Sequence, residues 1–177
     1  MSKTYFLSTT DLREDLPVHG NIDDMFLKPA IWQSQEINIQ SFLGSQLYDE
    51  ISGQIDAGTV TALNTTILEL VNPTLGYYAM AETIRPSTFQ LTNRGLGTKD
   101  GQNFTSAGLQ EIANLETHYK NRAEWFAQRL IDYLIANMLS YPLYDATATD
   151  CYDILPKKNS FTSSIYFPDT DNCNEHP

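Results

Sequence analysis

The chain has 177 residues, 41% hydrophobic and 19% charged, and its 22 acidic against 11 basic side chains give a formal charge of −11. That size supports one domain with a real core, and no apolar run is long enough to cross a membrane. So few lysines and arginines argue against binding a phosphate backbone, which requires clustered cations to displace counterions.

Met1 to Thr10 carries one lysine but no apolar stretch or cleavage pattern of a signal peptide, so residence in a cytoplasm is expected. Ser8, Thr9 or Thr10 is placed to cap a short helix over Asp11 to Asp15, stopped by Pro17 and Gly20. Asn21 is the expected cap of a second helix, with a kink at Pro29 or a proper start near Lys28. Ile22, Phe26, Ala30, Gln33 and Ile37 form its apolar stripe at helical spacing. Gly44 is a hinge, after which Ser45 caps a third helix running to about Asp56 and ending at Gly58. This helix buries Leu43, Leu47, Tyr48, Ile51 and Ile55.

Thr59 or Thr61 opens a fourth helix carrying Leu63, Ile67, Leu68, Leu70 and Val71. Asn72-Pro73 reads as a restart into a fifth through Leu75, Tyr78, Ala79 and Ile84, or the two form one kinked rod. From Pro86 to Thr105 the pattern alternates and then turns, predicting a protruding hairpin or loop around residues 87–105. Ser106 begins the strongest helical period of the chain. Leu109, Ile112, Leu115, Tyr119, Phe126, Leu130, Ile131, Leu134, Ile135 and Met138 recur until Tyr141-Pro142, a rod of roughly 50 Å at 1.5 Å per residue. The remainder is acidic and aromatic without helical period. The fold expected is therefore mainly α: a small helical bundle with one long C-terminal helix over 1–145, and an extended irregular tail over 146–177.

No residue pattern carries catalysis. His19, His118 and His176 fall in a loop, a helix and the terminus, too scattered for a triad or a three-histidine metal site. Cys173 and His176 are close in sequence and a metal with Cys151 is conceivable chemically, but the set lacks a second paired partner, and free thiols are expected. Gly95 to Gly101 lacks the spacing and the Lys-Ser/Thr ending of a phosphate loop. Neither an enzyme nor a cofactor is expected. The side chains that read as docking groups are Phe89, Leu91 and Phe104 on the hairpin, and Tyr152, Phe161, Tyr166 and Phe167 on the tail. The tail can equally wrap its own domain.

Several runs together resemble a known family: Lys28-Pro-Ala-Ile, Gln35, Ile39-Gln-Ser-Phe-Leu-Gly-Ser-Gln-Leu-Tyr48, Asn72-Pro73, Tyr77-Tyr-Ala79, Leu91-Thr-Asn-Arg-Gly95, and Ala123-Glu-Trp-Phe-Ala-Gln-Arg-Leu-Ile-Asp-Tyr-Leu134. They look like head-to-tail connector proteins of tailed bacteriophages, most of all the ring or neck proteins of crAss-like and other Bacteroidetes-infecting phages. The resemblance covers roughly residues 20 to 145 and rests on packing residues. It implies a helical virion subunit assembled in the host cytoplasm, repeated in a ring that is commonly twelve-fold. Such a ring joins the portal protein to other neck or tail proteins and leaves a channel through which DNA passes without specific binding. An acidic lumen suits that passage, since like charges repel. The rival reading is a cellular acidic helical adaptor that binds a single protein.

Overall fold

The computed structural model describes residues 3–16, 22–92, 95–98, 108–145 and 153–158. Six α-helices follow in order: α1 (Thr9–Asp15), α2 (Asp24–Ser34), α3 (Gln40–Leu43), α4 (Ser45–Ala57), α5 (Ala62–Thr88) and α6 (Leu109–Ala136). Between α5 and α6 lies an antiparallel hairpin, β1 (Phe89–Thr92) with β2 (Gly95–Thr98), in the register Phe89 with Thr98 and Leu91 with Leu96. The mainly α bundle with a long last helix is as expected.

α5 is the central helix, packed on one side by α6 and on another by α2 and the turn that follows it. Its burial explains that position, because Ile67, Val71, Thr74, Leu75, Tyr78, Ala79, Ala81 and Ile84 turn inward around most of its circumference. A helix apolar on so many sides keeps only a narrow solvent face, here Thr65, Glu69, Glu82 and Arg85, and becomes a core element. The α5 residues share one core with Leu7 and Leu12 from the N-terminal region, Leu27 and Ile31 of α2, Leu47 and Ile51 of α4, and Ala127, Leu130 and Leu134 of α6.

Several caps form as the residues dictate. The Ser8 hydroxyl accepts from the Asp11 amide, Thr61 accepts from Asn64, and Gly58 closes α4 in the left-handed conformation. Others differ. Asp23, not Asn21, caps α2 by accepting from the Met25 amide, because it stands one residue before the first helical turn. Asn21 lies outside the described residues. Pro29 falls inside α2, early enough that it leaves only the Met25 carbonyl without a donor.

Asn72-Pro73 does not restart a helix, and α5 is one element of 27 residues that carries Pro73 and Pro86. α6 begins at Leu109 rather than Ser106. There the Glu111 carboxylate reaches back to accept from the Gly108 amide at 2.9 Å. It ends at Ala136, a span of about 42 Å, and two short 3-10 turns, Met138–Ser140 and Pro142–Tyr144, then bury Tyr141 and Tyr144.

The stripe read for α2 is off in register. The buried residues are Leu27, Ala30, Ile31 and Ser34, while Gln33 is exposed and Ile37 is 67% exposed. Gln33 lies off the face set by Leu27, Ala30, Ile31 and Ser34, and Ile37 is displaced by a π-helical turn over Gln35–Ile39, in which the Gln40 amide bonds to the Gln35 carbonyl five residues back. One extra residue per turn rotates everything after it, so Ile39 rather than Ile37 meets the core.

That turn also buries Gln35 completely. Its Nε2 donates to the Thr4 carbonyl at 2.9 Å and to the Tyr48 hydroxyl at 2.8 Å, and its Oε1 accepts from the Phe6 amide at 2.8 Å. The side chain thereby pins the N-terminal segment to α4. Replacing it by an apolar isostere strands the Thr4 carbonyl and the Phe6 amide and leaves the Tyr48 hydroxyl only its bond to Glu36, so Gln35→Leu is expected to lower the unfolding free energy by about 2–4 kcal/mol, read from urea denaturation.

Candidate protein interface

The elbow between α3 and α4 is made by Gly44, whose φ of +77° and ψ of 158° lie in a region that is almost only glycine's. The segment 153–158 lies across it as a strap. The Ser45 amide donates to the Ile154 carbonyl at 2.9 Å, the Ile154 amide donates to the Ser45 hydroxyl at 2.9 Å, and the Lys157 amide donates to the Ser41 carbonyl at 2.9 Å. Ser45 is thus not the cap of α4; its hydroxyl holds the strap instead. A side chain at position 44 would come within 2.9 Å of Pro156 Cδ and 3.1 Å of the Ile154 carbonyl, so the close approach requires the glycine. Lys158 completes the attachment, 3.6 Å from Asp145 and over the Tyr144 ring at 4.4 Å. This stretch of the region read as a tail therefore packs on its own domain.

Carboxylates gather beside the strap. Burial, with the neighbouring Asp153 and Glu36 charges, holds the Asp49 carboxyl above its ordinary value. Glu36 also accepts from the Tyr48 hydroxyl at 2.6 Å, and burial pushes that hydroxyl far up. Next to Glu36 stands the exposed Ile37, so acidic and apolar groups share this rim.

The second surface is the outward side of α6. Ala123, Ala127, Leu130, Ile131 and Leu134 face the core, and Trp125 on the other side is 62% exposed. Arg122 and Arg129 lie one turn before and after it on the same ridge. Behind this ridge Tyr77 stacks on Phe126 at 5.4 Å, with the Arg122 guanidinium 6.0 Å from the Tyr77 ring. Leu115 and Ile135 of the same helix are also partly exposed, and Leu139 beyond it is fully exposed.

α5 and α6 are locked near the hairpin by Arg85, which donates through Nε and Nη2 to Glu116 at 2.5 and 2.9 Å. Glu116 is buried, and the guanidinium beside it keeps its carboxyl below the usual range. A groove of about 400 Å³ runs along the same pair of helices, lined by Met80, Ile84, Ile112, Leu115 and Tyr119. Its lining offers packing surface and one carboxylate, Glu111.

Of the docking residues read from the sequence, Phe89 is half-buried at the start of β1 and Leu91 lies in the same strand opposite Leu96. Phe104, Tyr152, Phe161, Tyr166 and Phe167 lie outside the described residues, as do His19, His176, Cys151 and Cys173. His118 is exposed on α6 against the Tyr119 ring. Among the described residues no cluster of three or more His, Cys, Asp or Glu could hold a metal ion, and no helix is long and apolar enough to cross a membrane. Sequence reasoning did not single out Trp125 or Ile37 as surface groups. Trp125 was legible: it interrupts the spacing Ile112, Leu130, Leu134 and has polar neighbours one turn either way. Ile37 was not, since the π turn that exposes it leaves no mark in the spacing.

A family of unknown function (DUF6712) matches residues 39–154, and the chain belongs to that family. The match opens at the elbow, spans both long helices and closes on Ile154, the strap residue bonded to Ser45. No curated protein and no solved structure matches the chain.

Two outcomes are expected. Gly44→Ala combines backbone strain with a clash against the strap and should lower stability by about 2–3 kcal/mol, a fall of several degrees in the thermal midpoint. Arg85→Gln should lower stability only modestly at pH 7, since the guanidinium is largely exposed and screened. Because Arg85 depresses the Glu116 pKa, its contribution is present above the ordinary value of 4.5 and disappears as pH falls through the lower folded value. Urea unfolding of both proteins at pH 7 and below pH 4 checks the convergence.

Proposed function

We propose that this chain is a structural subunit of a ring in the neck of a tailed bacteriophage, joining the portal to the tail and leaving a channel for DNA. The observation that carries the reading is the outward side of α6, where Trp125 remains 62% exposed although the helix already has a saturated inner face. Large apolar groups left on a rigid rod suit burial against another protein surface. The resemblance supplies the kind of surface, and the runs that carry it include the elbow and the Trp125 segment. The net charge of −11 supports a lumen past which DNA slides without adhering. The ring has about twelve copies in this reading, with α-helices in its wall and the hairpin directed at an adjacent neck or tail component. No chemical step is assigned to it.

Purified chain mixed with its portal at saturating concentration should add one layer of ring-shaped density to one end of the portal in negative-stain averages, and the chain should be present in purified virions by mass spectrometry. A bare portal, with virions lacking the chain, sinks the reading.

A further inference from the structure

We propose that the α6 ridge of Arg122, Trp125 and Arg129 and the acidic rim of the elbow around Glu36, Ile37 and Asp49 are the two halves of one contact between successive copies of this chain. The proposal deepens the ring reading and rests on it for closure of the assembly. Four observations carry it.

Trp125 exposes more than half of its surface at the middle of a 28-residue helix, flanked one turn either way by exposed cations. Aromatic and arginine side chains together are the composition of interface anchors, because the ring supplies area and the guanidinium supplies direction. Arg129 has no ion pair among the described residues, and Arg122 has only the Tyr77 ring at 6.0 Å.

The elbow rim is the complement of that ridge. It offers the exposed Ile37 beside Glu36, whose carboxylate accepts from the Tyr48 hydroxyl at 2.6 Å, and the exposed Asp49 next to Tyr48 in the chain. Carboxylates attract the cations of a partner surface and repel an acidic one. A second copy satisfies both halves at once, and in a chain with twice as many acidic as basic residues the free cations of α6 are a scarce match for such a rim.

The placement decides the symmetry. α6 covers one side of α5, while α2 and the π turn cover another, so the ridge and the rim belong to different faces. A contact between different faces is heterologous, and repetition builds a ring when the rotation closes or a filament when it does not.

The test is sedimentation velocity on the full chain over a concentration series at low ionic strength. Wild type should associate with concentration and dissociate with added salt. Trp125→Ala should weaken association about tenfold or more, a loss typical of a central anchor. Arg129→Glu and Asp49→Lys should each weaken it several-fold, and the two combined should recover much of the loss. All three side chains are exposed, and unchanged circular dichroism and thermal midpoints confirm intact folds. Association indifferent to all three substitutions overturns the inference. So does a chain that stays monomeric at every concentration, even one that still decorates the portal, a result that spares the ring reading. Open filaments sensitive to the same substitutions uphold the contact and sink the ring instead.

Discussion

The structure depends on keeping α5 helical through 27 residues while it is enclosed on several sides. Two prolines oppose this. Pro73 and Pro86 each remove an amide and leave the Glu69 and Glu82 carbonyls without their intrahelical donors, at about 3 kcal/mol apiece in an isolated helix. Against that stands the burial of Ile67, Val71 and Leu75, all fully enclosed, with about 1.5–3 kcal/mol from each. Packing wins, and the buried threonines of this helix satisfy their own hydroxyls on its backbone: Thr74 donates to the Leu70 carbonyl at 3.1 Å and Thr83 to Ala79 at 2.7 Å. At the exit, Ser87 and Thr88 both donate to the Ile84 carbonyl, which ends the helix just before the hairpin begins. Every other element is positioned relative to this one.

The elbow is the second fixed point, and both ends of the described chain are tied to it. The N-terminal segment is bonded through Gln35, and Phe6 lies on the Tyr48 ring at 5.0 Å. The strap is bonded through Ser41 and Ser45. A π turn, a glycine of positive φ and a fully buried glutamine within ten residues are each unfavourable in isolation. They persist because each solves a problem posed by the others: the π turn rotates Gln35 inward, the glutamine satisfies backbone groups of the N-terminal segment, and Gly44 lets the strap approach within hydrogen-bonding distance. Together these contacts anchor residues 4–6 and 153–158, which have no secondary structure of their own.

Where local chemistry decides the outcome, the sequence was readable. Ser8, Thr61 and Gly58 act through their own side chain or φ preference, and the hairpin follows from alternation and turn residues. The helical period of α4 likewise predicted Leu47, Tyr48 and Ile51 as buried. Tertiary contacts decided the rest. Asn72-Pro73 has the composition of a helix start, and only the enclosure of α5 overrides it. Ser45 has the chemistry of a cap, and only the strap, more than a hundred residues later, claims its hydroxyl. Gln35 looked like a polar residue between apolar ones. In α6 the core is built partly on Ala123 and Ala127, which allow close approach to α5 but carry too little hydrophobicity to stand out against Leu109, which proves 75% exposed. Of the surface groups, Trp125 was visible as an aromatic out of phase, whereas the acidic rim exists only because the π turn, α4 and the strap converge in space.

Charge and apolar surface are distributed in a way that bears on how the molecule meets a partner. Buried apolar side chains are concentrated on α5, the elbow interior and the inner face of α6. Exposed apolar and charged groups stand on the outer ridge of α6 and on the elbow rim, both carried by elements held rigid from behind: α6 by α5 and the Arg85–Glu116 pair, the rim by Gln35 and the strap. A surface mounted this way loses little conformational freedom when covered, because its side chains project from backbone that is already fixed. Association through these faces requires no rearrangement of the fold and follows rigid-body docking.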